Sequence, residues 1–540
     1  MAVGILVGVL VAGFERLTEE AVLSTLLDQP LWVLAIAPGV GLVLSALILR
    51  YGGGPEATPR TSDDFIRAFH SRSPDLPLRQ LPAKLAAGVA TIGLGGAMGL
   101  EGPSIYAGSS IGHNLQTRFG RLFTREESKM LLTAGAAAGV AAIFKTPATG
   151  VLFALEAPYR DDVTRRALLP ALLASATAYL VFIAIVGNAA PVFPFLGREF
   201  LGRDQPELRI IDMLGGALLG FAAGLGGRAF GWFVRHTKAL VRDVDITRRL
   251  VAAAVILAGL AIATDAVYDE ALSLGPGIEA IDWLTETDRA LGLIAGLFAF
   301  RMVATLTTVV GGGTGGLFIP LAVQGLLMGA FIGEAVGQDD TTLYPTLGLA
   351  AFLGAGYRTP IAAVMFVAES TRGSPFVVPA LIAAAVSQLV AGSASVASYQ
   401  HDERRGHLEH RLTLPVTSAL DTDVMTVPPD ATVSEFVYFH VLGRRQKLVP
   451  VVDGGRYLGV CRLDGVEAIP REDWETTTVA DVVDAVPAGR PSWTLRDAVA
   501  TMERIDTDLL VITDDDDGFI GVVSADDIVR LGEILDQTEG

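Results

Sequence analysis

Glu101 lies between Gly95-Gly96-Ala97-Met98-Gly99 and Gly102-Pro103, in a stretch that is otherwise apolar or small. An ionisable group in such surroundings is costly to keep and marks a functional site by default. Pro103 suits the first turn of a helix, so Gly102 and its neighbours direct free N–H groups and the positive end of a helix at one spot. A helix start of that kind holds anions. The run Gly311-Gly312-Gly313-Thr314-Gly315-Gly316-Leu317-Phe318-Ile319-Pro320 repeats the design, its permissive glycines leading to the amides of Leu317 and Phe318. Two helix starts converging on one point would form a site for a small anion. The same spacing also suits a pair of ordinary helix kinks.

These motifs belong to a larger duplication. Lys145-Thr146-Pro147-Ala148-Thr149-Gly150-Val151-Leu152-Phe153-Ala154-Leu155-Glu156 matches Arg358-Thr359-Pro360-Ile361-Ala362-Ala363-Val364-Met365-Phe366-Val367-Ala368-Glu369, with nine positions from Pro to Glu in both. The glutamates are offset by 213 residues, and Pro103 and Pro320 by 217, so the two halves are copies. Duplicated halves with interrupted helices place a substrate site at the bilayer midplane, between the repeats.

The elements that would carry these residues are apolar stretches near 30–50, 81–98, 102–118, 130–143, 147–157, 167–188, 211–232, 249–268, 290–310, 315–336, 344–356, 360–370 and 375–397. Many fall short of the ~20 residues that span a bilayer. Short helices rich in Gly and broken by Pro are tolerated at membrane depth only where protein buries them or they line an aqueous cavity, which points to a transporter or channel. The chain enters a hydrophobic segment at Ala2 without a basic leader or a small-residue cleavage site, so the first helix is expected to stay.

Composition agrees. Of 540 residues, 51% are hydrophobic and only 19% charged, less charge than a soluble protein of this length carries. The single cysteine, Cys461, excludes an internal disulfide and leaves no thiolate cluster for a metal. Of the net charge of -18, -15 falls in residues 401–540, which hold 28 acidic against 13 basic side chains. With five lysines in all, this acidic soluble surface fits a halophilic archaeon, whose concentrated cytoplasmic salt screens the repulsion. No basic stripe suggests nucleic acid as a partner. Neither a His-Glu-x-x-His nor a Gly-x-Ser-x-Gly motif stands out, so no enzyme is expected.

After Gln400 the chain turns soluble, with two units of about 60 residues. Each has a polar opening, an amphipathic helix and two short β runs: Leu448-Val449-Pro450-Val451-Val452 with Tyr457-Leu458-Gly459-Val460, then Leu509-Leu510-Val511-Ile512 with Phe519-Ile520-Gly521-Val522-Val523. Asp514-Asp515-Asp516-Asp517-Gly518 reads as a solvated hairpin turn rather than a metal site.

Gly99-Leu100-Glu101-Gly102-Pro103 resembles the G-[K/R]-E-G-P motif, and Gly316-Leu317-Phe318-Ile319-Pro320 the G-x-F-x-P motif, of the CLC family of chloride channels and chloride/proton antiporters. The stretch from Leu131 to Gly139 and on through Glu156 is similar to that family too, and the C-terminal units resemble its CBS-domain tandem. The resemblance implies an all-α polytopic membrane protein with an inverted internal repeat, plus a small α/β tandem CBS module. Its implied divisions are 1–405 (transport), 406–416 (linker), 417–475 and 476–540 (CBS). It further implies a homodimer in the cell membrane, one anion pathway per subunit, cytoplasmic CBS domains, and chloride transport gated by Glu101. Gly102, Leu317, Phe318, Arg60, Thr61 and Tyr399 are the implied anion-binding positions. No metal is implied, and no cofactor beyond an adenine nucleotide at the CBS pair.

Departures from the family matter as well. Ala157 stands where antiporters carry an internal proton-accepting acid, which tilts the reading toward a voltage-gated channel and leaves Glu156 as a proton-pathway candidate. Arg60, within Pro59-Arg60-Thr61, replaces an anion-binding serine, and there it either attracts anions or lies at the surface. The expected tyrosine falls on Ala397, with Tyr399 two positions on, about 200° around a continued helix. In the second CBS unit Ser524 and Asp527 match nucleotide-contacting positions, whereas the first unit has Arg462 and Gly465. A rival reading, a CBS-regulated divalent-cation transporter, would need Glu101, Glu156 and Glu369 to face one cavity, and glycine-lined helix starts offer donors rather than oxygen ligands.

Overall fold

The computed structural model describes residues 1–71, 74–119, 125–190, 193, 210–286, 289–337, 342–371, 376–402 and 412–538. It divides into two compact units, Met1–Arg404 and Arg405–Gly540. Among the described residues the first half of unit one supplies α1 (Ala2–Glu15, continued by a π-helical segment, Arg16–Leu23, and a turn, Ser24–Leu27), α2 (Leu31–Gly52), α3 (Ser62–His70), α4 (Leu81–Gly88), α5 (Glu101–Arg118), α6 (Arg125–Phe144), α7 (Pro147–Glu156) and α8 (Leu168–Val186). The second half repeats the series as α9 (Ile210–Leu240), α10 (Ile246–Tyr268), α11 (Ile278–Glu286), α12 (Leu291–Val310), α13 (Phe318–Ala335), α14 (Leu343–Tyr357), α15 (Pro360–Thr371) and α16 (Val377–Ala391). α3 and α11 are mates whose acidic residues break the apolar pattern, so the hydropathy of the sequence passes over both.

Reciprocal bonds relate the halves. Gly99 N–H donates to Gly316 O (3.0 Å) and Gly316 N–H to Gly99 O (2.7 Å), an antiparallel bridge. Beside it, Thr314 N–H donates to Thr91 Oγ1 (3.0 Å) and Ala97 N–H to Thr308 Oγ1 (3.2 Å). Each bond returns with the residues exchanged at an offset of 217, which is what a two-fold axis through the Gly99–Gly316 crossing requires. Because the chains cross it antiparallel, the repeat is inverted.

Small residues let the helices meet backbone to backbone. A Cβ at Gly108 of α5 would strike the Gly135 carbonyl of α6, and one at Gly325 of α13 the Gly348 carbonyl of α14. Among the described residues six helices are long and apolar enough to cross a membrane: α2, α8, α9, α10, α12 and α13. Their outward faces expose residues such as Leu169 on α8, Leu218 on α9 and Val255 on α10, a surface suited to lipid. This is a polytopic membrane protein.

Unit two is α/β. A helix starting at α17 (Val433–Glu435) and running through the π-helical Phe436–Gly443 precedes the antiparallel pair β1 (Leu448–Asp453) and β2 (Arg456–Arg462) and the short α18 (Leu463–Glu467). Then come α19 (Leu495–Arg504), the pair β3 (Leu509–Thr513) and β4 (Phe519–Ser524), and α20 (Ala525–Thr538). Each half has its own core, one around Phe436, Val451 and Cys461, the other around Leu495, Ile512 and Val523. Leu412 and Leu414, inside the expected 406–416 linker, pack on the second core, so the folded unit starts earlier than the sequence suggests; residues 403–411 lie outside the described residues. The acidic run forms the β3–β4 turn, where Gly518 N–H donates to Asp514 Oδ1 at 2.7 Å.

Candidate functional site

α4 unwinds through a π-helical turn, Val89–Gly93, and Gly95 takes φ 91°, a left-handed conformation open to glycine. The chain then pairs with Gly316 and delivers Glu101 as the first residue of α5, opposite Phe318, the first residue of α13. Glu101 is fully buried, and its Oε1 accepts the Phe318 N–H at 2.6 Å. Its Oε2 has no hydrogen-bond partner among the described residues. Gly99 and Gly316 make room for the carboxylate, since a Cβ at either would collide with it. A carboxylate thus fills the spot at which the start of α13 would hold an anion.

Beside it lies a cavity of about 90 Å³, lined by Pro59–Asp63, Met98, Lys238, Val309, Gly313, Gly315–Leu317, Tyr357, Val396 and Ala397. Leu317 N–H donates to the Tyr357 hydroxyl oxygen at 3.3 Å, which leaves that hydroxyl a proton to offer. Tyr357 is buried at the end of α14 and went unnoticed in the sequence. Its repeat mate is Phe144, so a hydroxyl gained in one half was the available signal. The rings of Phe153 and Phe318 pack against it.

Other expected ligands are arranged differently. Thr61 Oγ1 donates to Gly315 O at 2.9 Å, so its hydroxyl proton is spent on the backbone. Gly102 is a crossing point, where a Cβ would meet Thr61 Oγ1 and the Gly315 carbonyl. Tyr399 is not on a helix, because α16 ends at Ala391; it sits at φ 70°, 42% exposed, and accepts from Arg60 Nη1 at 2.8 Å. Arg60 lines the cavity, but its guanidinium is turned to Tyr399, and its carbonyl accepts Lys84 Nζ at 2.6 Å. Lys84 is 1% exposed, pairs with Asp64 Oδ2 at 2.5 Å and lies over the Tyr106 ring at 4.1 Å. This buried pair, also missed, fixes the loop before α3.

Glu156 serves another purpose. Its oxygens accept the Ile361 N–H (3.1 Å) and the Ala362 N–H (2.8 Å) at the start of α15. Glu369 returns the bond to α7, accepting the Ala148 N–H (2.9 Å), the Thr149 N–H (2.8 Å) and the Thr149 hydroxyl (2.6 Å). Each helix is capped by the glutamate of its repeat mate. The proton-pathway candidate thus caps a helix, and the three glutamates of the divalent-cation reading are each bound to helix N–H groups. No cluster of metal-ligating side chains occurs among the described residues.

The comparisons decide the family. Residues 40–392 match the voltage gated chloride channel family and residues 476–533 the CBS domain. The chain belongs to the CLC family and carries a C-terminal CBS pair. Similar proteins include the H(+)/Cl(-) exchange transporter ClcA of Vibrio cholerae serotype O1 (strain ATCC 39541 / Classical Ogawa 395 / O395), 26% identical over 77% of this chain and 92% of that one. ClcA of Salmonella paratyphi B (strain ATCC BAA-1250 / SPB7) is 26% identical over 67% and 76%. Among solved structures, a slow cyanobacterial Cl-/H+ antiporter superposes with a TM-score of 0.63 at 21% identity, over 72% of this chain and 92% of that one. A eukaryotic CLC transporter gives 0.59 at 18% identity over 97% of both chains. These structural likenesses bear on the fold.

In this CLC chain, Ser524 Oγ donates to Asp527 Oδ2 at 2.5 Å and accepts the Asp527 N–H at 3.1 Å, a capping box that starts α20. In the first CBS unit Arg462 Nε instead approaches Asp484 Oδ2 at 3.4 Å.

Proposed function

We propose that this chain exchanges chloride for protons across the cell membrane, with the Glu101 carboxyl group as the gate common to both ions. The observation that carries this reading is the Glu101 carboxylate seated on the Phe318 amide beside a cavity that offers the Tyr357 hydroxyl. A halide and an ionised carboxylate compete for the same donors. Protonation removes the charge that binds Glu101 there, and the freed N–H donates to an anion instead; when the carboxyl ionises and returns, anion and proton have moved in opposite senses. Ala157 had favoured a passive channel. The similar ClcA proteins are named exchangers, which makes exchange the better reading.

On this proposal the protein is a homodimer with its CBS domains in the cytoplasm, and the acidic surface of unit two reflects a salt-rich cytoplasm. Ser524 and Asp527 offer a single adenine-nucleotide site, checked by equilibrium dialysis of Asp527→Ala. For exchange itself, purified protein in liposomes is followed with chloride and pH electrodes. Glu101→Gln should stop proton movement while chloride continues to flow. Proton movement that survives in this variant would overturn the proposal.

A further inference from the structure

The segment that follows α16 lines the cavity and bonds to three other residues that line it. Ala397 lines it, and Ser398 N–H donates to Asp63 Oδ1 at 2.8 Å. Tyr399 accepts from Arg60. Gln400 Nε2 donates to the Ala157 carbonyl (2.9 Å) and the Tyr357 carbonyl (3.0 Å). The next residue, His401, stacks face to face on His70, with centroids 3.7 Å apart and planes at 12°. His70 closes α3, whose first turn lines the same cavity, and its Nε2 lies 2.6 Å from the Pro158 carbonyl.

We propose that the His70–His401 stack is a proton-binding latch that holds the 397–401 segment, and with it Arg60 and Tyr357, in the closed arrangement of the anion cavity. Two neutral imidazoles stack, whereas two imidazolium ions at this separation repel. Burial, opposed by the Pro158 carbonyl, holds His70 below its ordinary value, and His401 and Lys129 add to that shift. Release therefore falls on the acid side of the usual histidine pKa of ~6.5.

The groups facing the stack come from each neighbouring element. α6 brings Lys129, over the Phe69 ring at 5.6 Å, and the turn after α7 brings the Tyr159 ring, 5.1 Å from His70. The Arg160–Asp402 pair (2.7 Å) and the Arg358–Asp161 pair (2.5 Å) flank it. With the carboxylates already paired, further protons on the stack find no free counter-charge among these groups. Once the stack opens, Tyr399 no longer restrains Arg60, and its guanidinium can turn toward the cavity and draw anions in.

This inference rests on the anion-pathway reading of the Glu101 site but not on proton exchange. It is tested by chloride flux alone in a Glu101→Gln background, where the gate cannot titrate, with equal pH on both sides of the liposome. Flux should rise severalfold between about pH 7.5 and about pH 3.5, a range that passes the value of about 4 to which burial lowers His70. Adding His401→Phe, which keeps a stacking ring without a titrating nitrogen, should leave flux low and flat across that range. Adding His401→Gln, which removes the ring, should leave it high and flat. His70→Phe provides the same lock from the other side if a His401 variant fails to assemble. A pH profile unchanged by these substitutions, or no pH dependence in Glu101→Gln itself, would overturn the latch, whereas absence of chloride flux in the unsubstituted protein would overturn the anion-pathway reading instead.

Discussion

Two carboxylate positions on the pseudo-two-fold axis behave in opposite ways. Glu156 and Glu369 are repeat mates, each with both oxygens bound to the first turn of the other half's helix. Glu101 is matched by Phe318, so its carboxylate meets an amide on one side, has an unpartnered oxygen on the other, and has no acidic counterpart. A symmetric pair can satisfy every donor and acceptor and so holds the halves together. Only the asymmetric position leaves donors that a carboxylate and a mobile anion can contest. Duplication built the scaffold, and departure from it built the site.

The sharpest way to break this contrast is to deny Glu101 its seat without touching it. A methyl at Gly316 would overlap the carboxylate, and glycine is needed there for space, since its backbone is not left-handed. Gly316→Ala should expel Glu101 from the Phe318 amide and reproduce the uncoupled chloride flux of Glu101→Gln. Paired electrode recordings check it; normal coupling in the variant would mean that the carboxylate does not use this seat.

Next in size is the symmetric pair. Glu156→Gln and Glu369→Gln each replace a helix-capping anion by an amide whose NH₂ faces N–H donors. Each should destabilise the membrane unit by about 1–3 kcal/mol, by similar amounts, with the chloride-to-proton ratio unchanged. Thermal unfolding in detergent together with the flux ratio checks both. Loss of proton movement in Glu156→Gln alone would restore it as a relay and end the equivalence of the two glutamates.

Sequence reasoning reached the features that are local in the chain. The helix starts at Glu101 and Phe318, the Pro-to-Glu repeat and the β hairpins all show as short-range patterns of Gly, Pro and alternating apolar residues. What it missed are relations between residues far apart. The Glu156–Ala362 bond spans 206 positions and the Leu317–Tyr357 bond 40, and neither leaves a periodic trace. The apolar run 375–397 reads as helix past Ala391, whereas Gly392 at φ 59° turns the chain out of it before Tyr399. Lys84 was hidden because a lone lysine in an apolar helix reveals nothing of its partner, Asp64 on α3.

The two tyrosines give a finer version of the contrast. Tyr357→Phe removes a buried hydroxyl from the cavity and should weaken chloride binding by about 0.5–1.5 kcal/mol, roughly 2- to 10-fold. Tyr399→Phe, which removes the exposed acceptor that turns Arg60 away from the cavity, should not weaken it. Isothermal titration with chloride compares them; equal effects would show that the cavity does not single out Tyr357.

The smallest effect concerns a repeated device in unit two, where no ion is involved. Thr478 N–H and Oγ donate to Asp481 Oδ2 at 2.9 and 2.8 Å, starting the turn that sets Val479 in the core around Cys461. These bonds from the Thr478 side chain and backbone hold the Asp481 carboxyl below its ordinary value. Because the folded value is depressed, the stabilisation is complete above the unfolded pKa of ~3.9 and disappears as pH falls through the folded one. Burial pushes the Cys461 thiol up to about 12, so in the native state it is unreactive and its modification reports opening of this core. Asp481→Asn should therefore speed modification of Cys461 by a dipyridyl disulfide, which reacts in acid as well as at neutral pH. The variant and the unsubstituted protein should converge only once the pH has fallen below the depressed folded pKa, well under ~3.9. A gap that persisted there would mean that the carboxylate charge is not what the box contributes, and that the hydrogen bonds from Thr478 act regardless of protonation.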